Sequence, residues 1–240
     1  MSSEQIAADE SFALKQGLRD TRGALERWRA NPAHVLGPWF AGAFAISCVL
    51  LAAVWGVSLL VAEDETPLGI AGLESSADFE DVAFIFGRNL LVLALHATAC
   101  VAGFIAGSSM RHVAQTKTGL SRVIHERAGP VAIAWVVAVT AFSLITQAFG
   151  LGFDAAAIAS QYGVSSGLLI LSVLPHALLE LTAVFLPLAA WLIASRRDEW
   201  EELLAATFLT VAIALPMLIV AAGIELTLWP LLLEAVSPYA

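Results

Sequence analysis

Four side chains able to exchange a proton stand inside otherwise apolar stretches of this chain: His96, His176, Glu180 and Glu225. An ionisable group is expensive to place inside a membrane span, so each is a functional candidate by default. His176 and Glu180 are one helical turn apart, which puts an imidazole and a carboxyl group on the same face and within reach of each other. Three kinds of chemistry suit such a set. The first is structural, with interhelical hydrogen bonds worth about 0.6–2 kcal/mol each fixing the packing of a bundle. The second is a proton or ion path, with His and Glu titrating or lining a wet cavity. The third is a metal centre for intramembrane hydrolysis, in which His96, His176 and either glutamate supply the three ligands that a catalytic zinc needs beside water. The chain has no His-Glu-x-x-His helix, and no spacing demands that ligand set. The expectation is therefore no metal and no cofactor.

The neighbours of these residues say how they must be positioned. Asn89, His96, Cys100, Gly103 and Gly107 fall within an arc of about 60° at the helical period. Such a stripe of polar and small residues reads as a buried helix–helix interface, and Gly103-x-x-x-Gly107 lets another helix approach closely. Ala183, Pro187, Ala190 and Ala194 continue the face of His176 and Glu180, and Ala214, Leu218 and Ala221 lie on the face of Glu225. A bundle that brings the three stripes together gathers all the intramembrane polar side chains in one cluster.

Composition sets the environment. Hydrophobic residues make up 59% and charged residues 14% of the 240 residues, with a mean hydropathy of +0.80. A water-facing domain carries about 25% charged residues, so this composition belongs in a membrane. A helix crossing the bilayer core needs about 20 apolar residues. Five segments qualify: 38–62, 89–110, 130–151, one within 164–194 and one within 203–236. The fourth holds Pro175 and Pro187 and the fifth Pro216 and Pro230, so kinks are expected in both. Residues 164–174 suit either part of a span or a re-entrant half-helix, with Pro175 opening the main helix.

Charge fixes the expected topology. Of the 12 Lys and Arg residues, all but Arg88 lie in the N-terminal segment, the loop after the second span, or the loop after the fourth. Basic residues mark the cytoplasmic side, so the N-terminus is expected inside and the C-terminus outside. The opposite side holds Arg88 and the acidic run Glu63, Asp64, Glu65, Glu74, Asp78, Glu80 and Asp81. The expected organisation is a cytoplasmic segment 1–37, a bundle 38–236 and a tail 237–240. Within the first segment, Leu14, Leu18, Leu25 and Trp28 fall on one arc of an amphipathic helix over 11–30. That helix either lies in the membrane plane or rests on its own bundle. The apolar residues 79–86 read as an interfacial lead-in to the second span.

Other classes drop out. A net charge of -9 argues against a nucleic-acid partner. Cys48 and Cys100 lie in apolar runs and make neither a disulfide framework nor a zinc knuckle. The first 30 residues are charged, so no cleavable signal peptide is expected. Neither a Gly-x-Ser-x-Gly elbow nor a phosphate-binding loop occurs. His34, His112 and His125 fall in segments read as cytoplasmic.

The stretch Pro175-His176-Ala177-Leu178-Leu179-Glu180 resembles the Pro-His-Gly-x-x-Glu motif of the stage II sporulation protein M family, with Ala177 where the family has Gly. Phe86-Gly87-Arg88-Asn89 and the Gly103/Gly107 helix resemble that family's Asn-led second span. Ala221 to Pro230, with Glu225 at its centre, resembles its closing Ala-x-x-Glu-x-x-x-x-Pro helix. The resemblance covers about residues 80–235. It implies a multi-span architecture and motif positions at Asn89, His176, Glu180 and Glu225. In spore formers the family's namesake belongs to a membrane-anchored complex with cell-wall-degrading partners, and many relatives occur in organisms that form no spores.

The expectation that results is an all-α, five-span integral protein of the prokaryotic plasma membrane. It contacts the lipid bilayer and either membrane-protein partners or further copies of itself. Its expected role is non-enzymatic, as a scaffold or assembly subunit. The alternative is a transporter or channel subunit with a His/Glu path, and the third reading is an intramembrane metal-dependent hydrolase.

Overall fold

The computed structural model describes residues 3–61, 68, 78–109 and 119–238, and the side chains of all of these except 3–16, 108–109, 120–129 and 132. The acidic run over 63–77, the basic residues Lys15, Arg111, Lys117, Arg122 and Arg127, and Leu14, His112 and His125 therefore lie outside the described side chains. The element order is α1 (Ser3–Ala30), α2 (Pro32–Leu60), α3 (Phe79–Phe104) running into a π-helical turn (Ile105–Ser109), α4 (Gly119–Gln161), α5 (Ser166–Arg197), a 3-10 turn (Trp200–Glu202) and α6 (Leu203–Val236). No strand occurs among the described residues.

Among the described residues, five stretches are long and apolar enough to cross a membrane: Pro32–Leu60, Phe79–Gly107, Ile133–Gln161, Ser166–Arg197 and Trp200–Val236. The all-α, five-span architecture read from the sequence is the one found, and the chain is a multi-pass membrane protein. The boundaries differ from those expected, each for a local reason. The first crossing helix begins at Pro32 rather than 38, because Asn31 suits an N-cap and proline suits the first helical position, where its missing N–H is not needed. The second begins at Phe79 rather than 89. Asp78 accepts hydrogen bonds at Oδ1 from the Glu80 (2.8 Å) and Asp81 (3.1 Å) backbone N–H groups, and the Asp78 N–H donates to Asp81 Oδ2 at 3.0 Å. This reciprocal cap starts the helix ahead of the apolar run, so 79–86 is its first two turns and not a separate lead-in.

The third crossing helix runs on to Gln161, ten residues past its expected end. It closes on Gly163, whose φ of 62° is open to glycine. Val164 N–H reaches back to Ala159 O at 3.0 Å and Gly163 N–H to Ser160 O at 3.2 Å, the paired bonds of a Schellman stop. Ser165 then caps α5, its Oγ accepting from Leu168 N–H at 3.3 Å. The half-helix reading of 164–174 fails here, since α5 is one unbroken helix from Ser166 to Arg197 with Pro175 inside it. α6 likewise runs unbroken through Pro216 and Pro230. Neighbouring helices and hydroxyl side chains make proline tolerable in membrane helices.

The chain divides into two compact units that do not follow its order. Unit 1 comprises Met1–Ala41, Leu95–Ala138 and Leu186–Ala212; unit 2 comprises Gly42–Ala94, Val139–Phe185 and Ile213–Ala240. In unit 1, α1 rests on its own chain. Its seam is Gly17, Ala24 and Trp28, all buried, whereas Leu18, expected on the apolar face, is 60% exposed. The face is rotated toward the small residues for a steric reason. A Cβ on Gly17 would lie 3.2 Å from the Phe104 ring and 3.3 Å from Leu204 Cδ2, so closeness of approach, not leucine content, chose the seam. Glu202 holds the far end, accepting from Arg27 Nη2 at 2.6 Å and from Trp28 Nε1 at 3.2 Å, while Trp28 packs edge-on against Trp39 with ring centroids 5.2 Å apart. Glu202→Ala is expected to free α1 without unfolding the bundle, read as faster limited proteolysis near Trp28 with little change in the main thermal transition. Unchanged cleavage would show that the carboxylate does not hold the helix.

Unit 1 has two further close approaches, at Gly103 and Gly107. A Cβ on Gly103 would lie 2.7 Å from Leu203 Cδ1 and 2.8 Å from Trp191 Nε1, and one on Gly107 would run into the Trp200 ring. Cys100 is fully buried, and its thiol donates to Pro187 O at 3.1 Å. In unit 2 the core is Leu93, Leu169, Val184, Phe185, Leu218 and Leu233. A second close approach occurs at Gly152, where a Cβ would meet Val57 Cγ1 at 2.5 Å. That contact draws α4 onto α2 beside the site described next.

Candidate functional site

Most buried hydroxyls of the bundle are satisfied by their own helices and carry no evident chemistry. Ser47 donates to Ala43 O at 2.8 Å, Ser172 to Leu169 O at 2.7 Å and Thr210 to Ala206 O at 2.6 Å, the back-bonding expected of Ser and Thr in helices. The ionisable groups of unit 2 behave differently. His176, Glu180 and Glu225 line one cavity of about 180 Å³, together with Arg88, Asp154 and Trp229 and an apolar wall that includes Leu51, Val54 and Leu169.

Each side chain has its own support. Glu180, on α5, is buried, with Arg88 Nη2 3.8 Å from its Oε1. The Asn89 side-chain amide hydrogen-bonds the same carboxylate, and Arg88, Asn89 and Glu180 also line a smaller neighbouring cavity. His176, one turn before Glu180, is turned to the Trp229 ring instead, with centroids 5.5 Å apart and planes at 53°. Trp229 Nε1 donates to Ser172 Oγ at 3.2 Å, which fixes that ring against α5. His176 Nδ1 and Glu225 Oε2 are buried and have no hydrogen-bond partner among the described residues.

Of the residues singled out in the sequence, Asn89, His176, Glu180 and Glu225 therefore meet in unit 2. His96 and Cys100 do not join them. Both are buried, belong to unit 1 and line neither cavity. No group of three or more His, Cys, Asp or Glu side chains among the described residues is placed to hold a metal ion.

Two members of the site escaped the sequence reading. Arg88 is expected on the outer side and outside the spans, yet it stands in α3 and pairs with Glu180. The signal was available, since it is the one basic residue off the basic side and adjoins the motif residue Asn89. Asp154 fell beyond the drawn end of the third span. Leu151, Asp154, Ala155 and Ile158 all line the cavity, and their spacing is that of one helix face. Extending the helix to Gln161 would have exposed the pattern.

This pairing of a Pro-His-x-x-x-Glu helix with a closing helix bearing Glu225 can be set against known families. Residues 128–228 match the model of the stage II sporulation protein M family. The match takes in α5 whole and most of α4 and α6, hence His176, Glu180 and Glu225, and it supports the resemblance read from the sequence. It is narrower than the 80–235 of that reading, for Asn89, Arg88 and the Gly103/Gly107 helix lie outside it. In the stage II sporulation protein M-like segment, Asp154 joins the motif residues at the cavity wall. No curated protein and no solved structure matches the chain.

Proposed function

We propose that the protein is a non-enzymatic subunit of a membrane assembly in the prokaryotic plasma membrane, with its basic side in the cytoplasm. The observation that carries this reading is an apolar groove of about 430 Å³ between α2 and α4 in unit 2, lined by Ala45, Ile46, Val49, Ala53, Leu144 and Ala148 among others. Membrane helices associate through small residues that let backbones approach, and three alanines lie along this groove. The family match favours the same reading, since the namesake of that family belongs, in spore formers, to a membrane-anchored complex. The Arg88–Glu180–Asn89 group fits it as well, as a polar clamp between α3 and α5.

The experiment is to fill the groove. Ala148→Phe is expected to reduce the size of the particle extracted from native membranes in mild detergent, while the purified chain keeps its thermal transition. A particle of unchanged size with the groove filled overturns the assembly role. A second reading, a transporter or channel subunit, is favoured by the charged cavity of unit 2. It predicts gradient-driven flux in vesicles holding the pure protein, abolished by Glu180→Gln while the fold persists.

A further inference from the structure

The cavity of unit 2 combines four features that select a ligand. It is large enough, since an apolar cavity of about 150 Å³ takes a benzene-sized molecule and this one measures about 180 Å³. Its charge is unbalanced, because among the described residues that line it Arg88 is the one basic side chain against the carboxyl groups of Asp154, Glu180 and Glu225. Arg88 is already committed to Glu180. Two buried polar atoms are open: Glu225 Oε2, and Nδ1 of His176, a residue only 6% exposed, neither with a partner among the described residues, and the imidazole accepts there as its Nε2–H tautomer. Finally, an aromatic ring, Trp229, is held at the wall by its bond to Ser172.

A buried carboxylate without a partner is costly, and what would complete it here is a donor with positive charge and no acceptors. An ammonium group has three donors and no acceptor and is attracted to an indole face. An anion would meet three carboxyl groups. A divalent metal would find no set of three side-chain ligands among the described residues. We infer that this cavity binds a primary ammonium group carried on a short apolar body, with the nitrogen at Glu225 and His176, Asp154 adding negative charge at the wall, and the body against Leu51, Val54 and Leu169. The site does not depend on the assembly role, and failure of either leaves the other standing. The ammonium can belong to a soluble amine or to the headgroup of an aminophospholipid, since both present the same chemistry.

The test uses the full chain in detergent, with n-butylammonium as probe and butan-1-ol as its neutral counterpart. A saturable rise of the thermal midpoint with n-butylammonium, absent with butan-1-ol, is the expected result. Glu225→Gln is expected to weaken the apparent affinity about tenfold or more, the loss of one charge-assisted hydrogen bond. If that variant does not fold, Asp154→Asn replaces it, with a several-fold loss expected. No saturable shift, an equal shift with butan-1-ol, or unchanged affinity in the folded variant overturns the inference. Repeating the titration in nanodiscs of phosphatidylethanolamine and of phosphatidylglycerol separates the sources. Weaker apparent affinity in the first means the headgroup occupies the cavity, and equal affinity means a soluble amine does; both uphold an ammonium site.

Discussion

Arg88→Ala is expected to destabilise the protein by about 1–3 kcal/mol, the cost of leaving a buried polar group without its partner. Glu180 is 8% exposed and has Arg88 3.8 Å away and the Asn89 amide as its polar company. Removing the guanidinium leaves a carboxyl group facing Glu225 and Asp154 across an apolar-walled cavity. The double variant Arg88→Leu/Glu180→Leu is expected to recover most of the loss, because it also removes the buried carboxyl group that the single variant leaves without its charge partner. Thermal unfolding in detergent checks both. If the single and double variants unfold together, the pair does not hold α3 to α5, and the clamp role falls. The same pair argues against reading His176 and Glu180 as a self-contained dyad. The chain gives the glutamate to α3 and the histidine to Trp229.

Gly107→Leu is expected to cost about 3 kcal/mol, at the upper end of what overpacking a close seat does. Any Cβ at this position runs into the Trp200 ring, and that ring is anchored by a hydrogen bond from its Nε1 to Asp198 Oδ1. The side chain therefore cannot swing away without giving up that bond. Trp200→Ala in the same chain is expected to restore part of the stability by opening room for the leucine. Lack of any rescue would mean that the loss comes from the helix itself, not from the seat. Gly103 is the milder site, since its nearest neighbours, Leu203 and Trp191, include a flexible aliphatic end.

The spans were legible because apolar length is a direct consequence of bilayer thickness, and a chain this poor in charge leaves few other solutions. The polar stripes were legible in part because helical period alone brings His176 and Glu180, or Gly103 and Gly107, to one face. What period does not supply is the partner across the interface. Helical period puts His96 and Asn89 on one stripe of α3, yet Asn89 lines a cavity with Glu180 while His96, two turns on, belongs to the other unit. Boundaries failed where caps outranked hydropathy, as at Asp78 and Gly163. Those failures hid Arg88 and Asp154, which a hydropathy window assigns to loops. The seam of α1 was misjudged for a different reason. Hydrophobicity ranked Leu18 above Gly17, but packing depends on how near two backbones can come.

The ion pair between α3 and α5 has a further consequence for biosynthesis. Arg88 leaves the ribosome well before Glu180, with the whole of α4 between them, and Glu225 comes last. Until α5 follows, α3 presents an arginine with no counter-charge, a poor occupant of lipid. After α5 arrives, the cavity still lacks the wall that α6 provides. α4 and α5 are joined by only a tight turn, which suits insertion as a hairpin that delivers Asp154 and Glu180 together. A chain arrested before α6 would thus display exposed carboxyl groups within the bilayer.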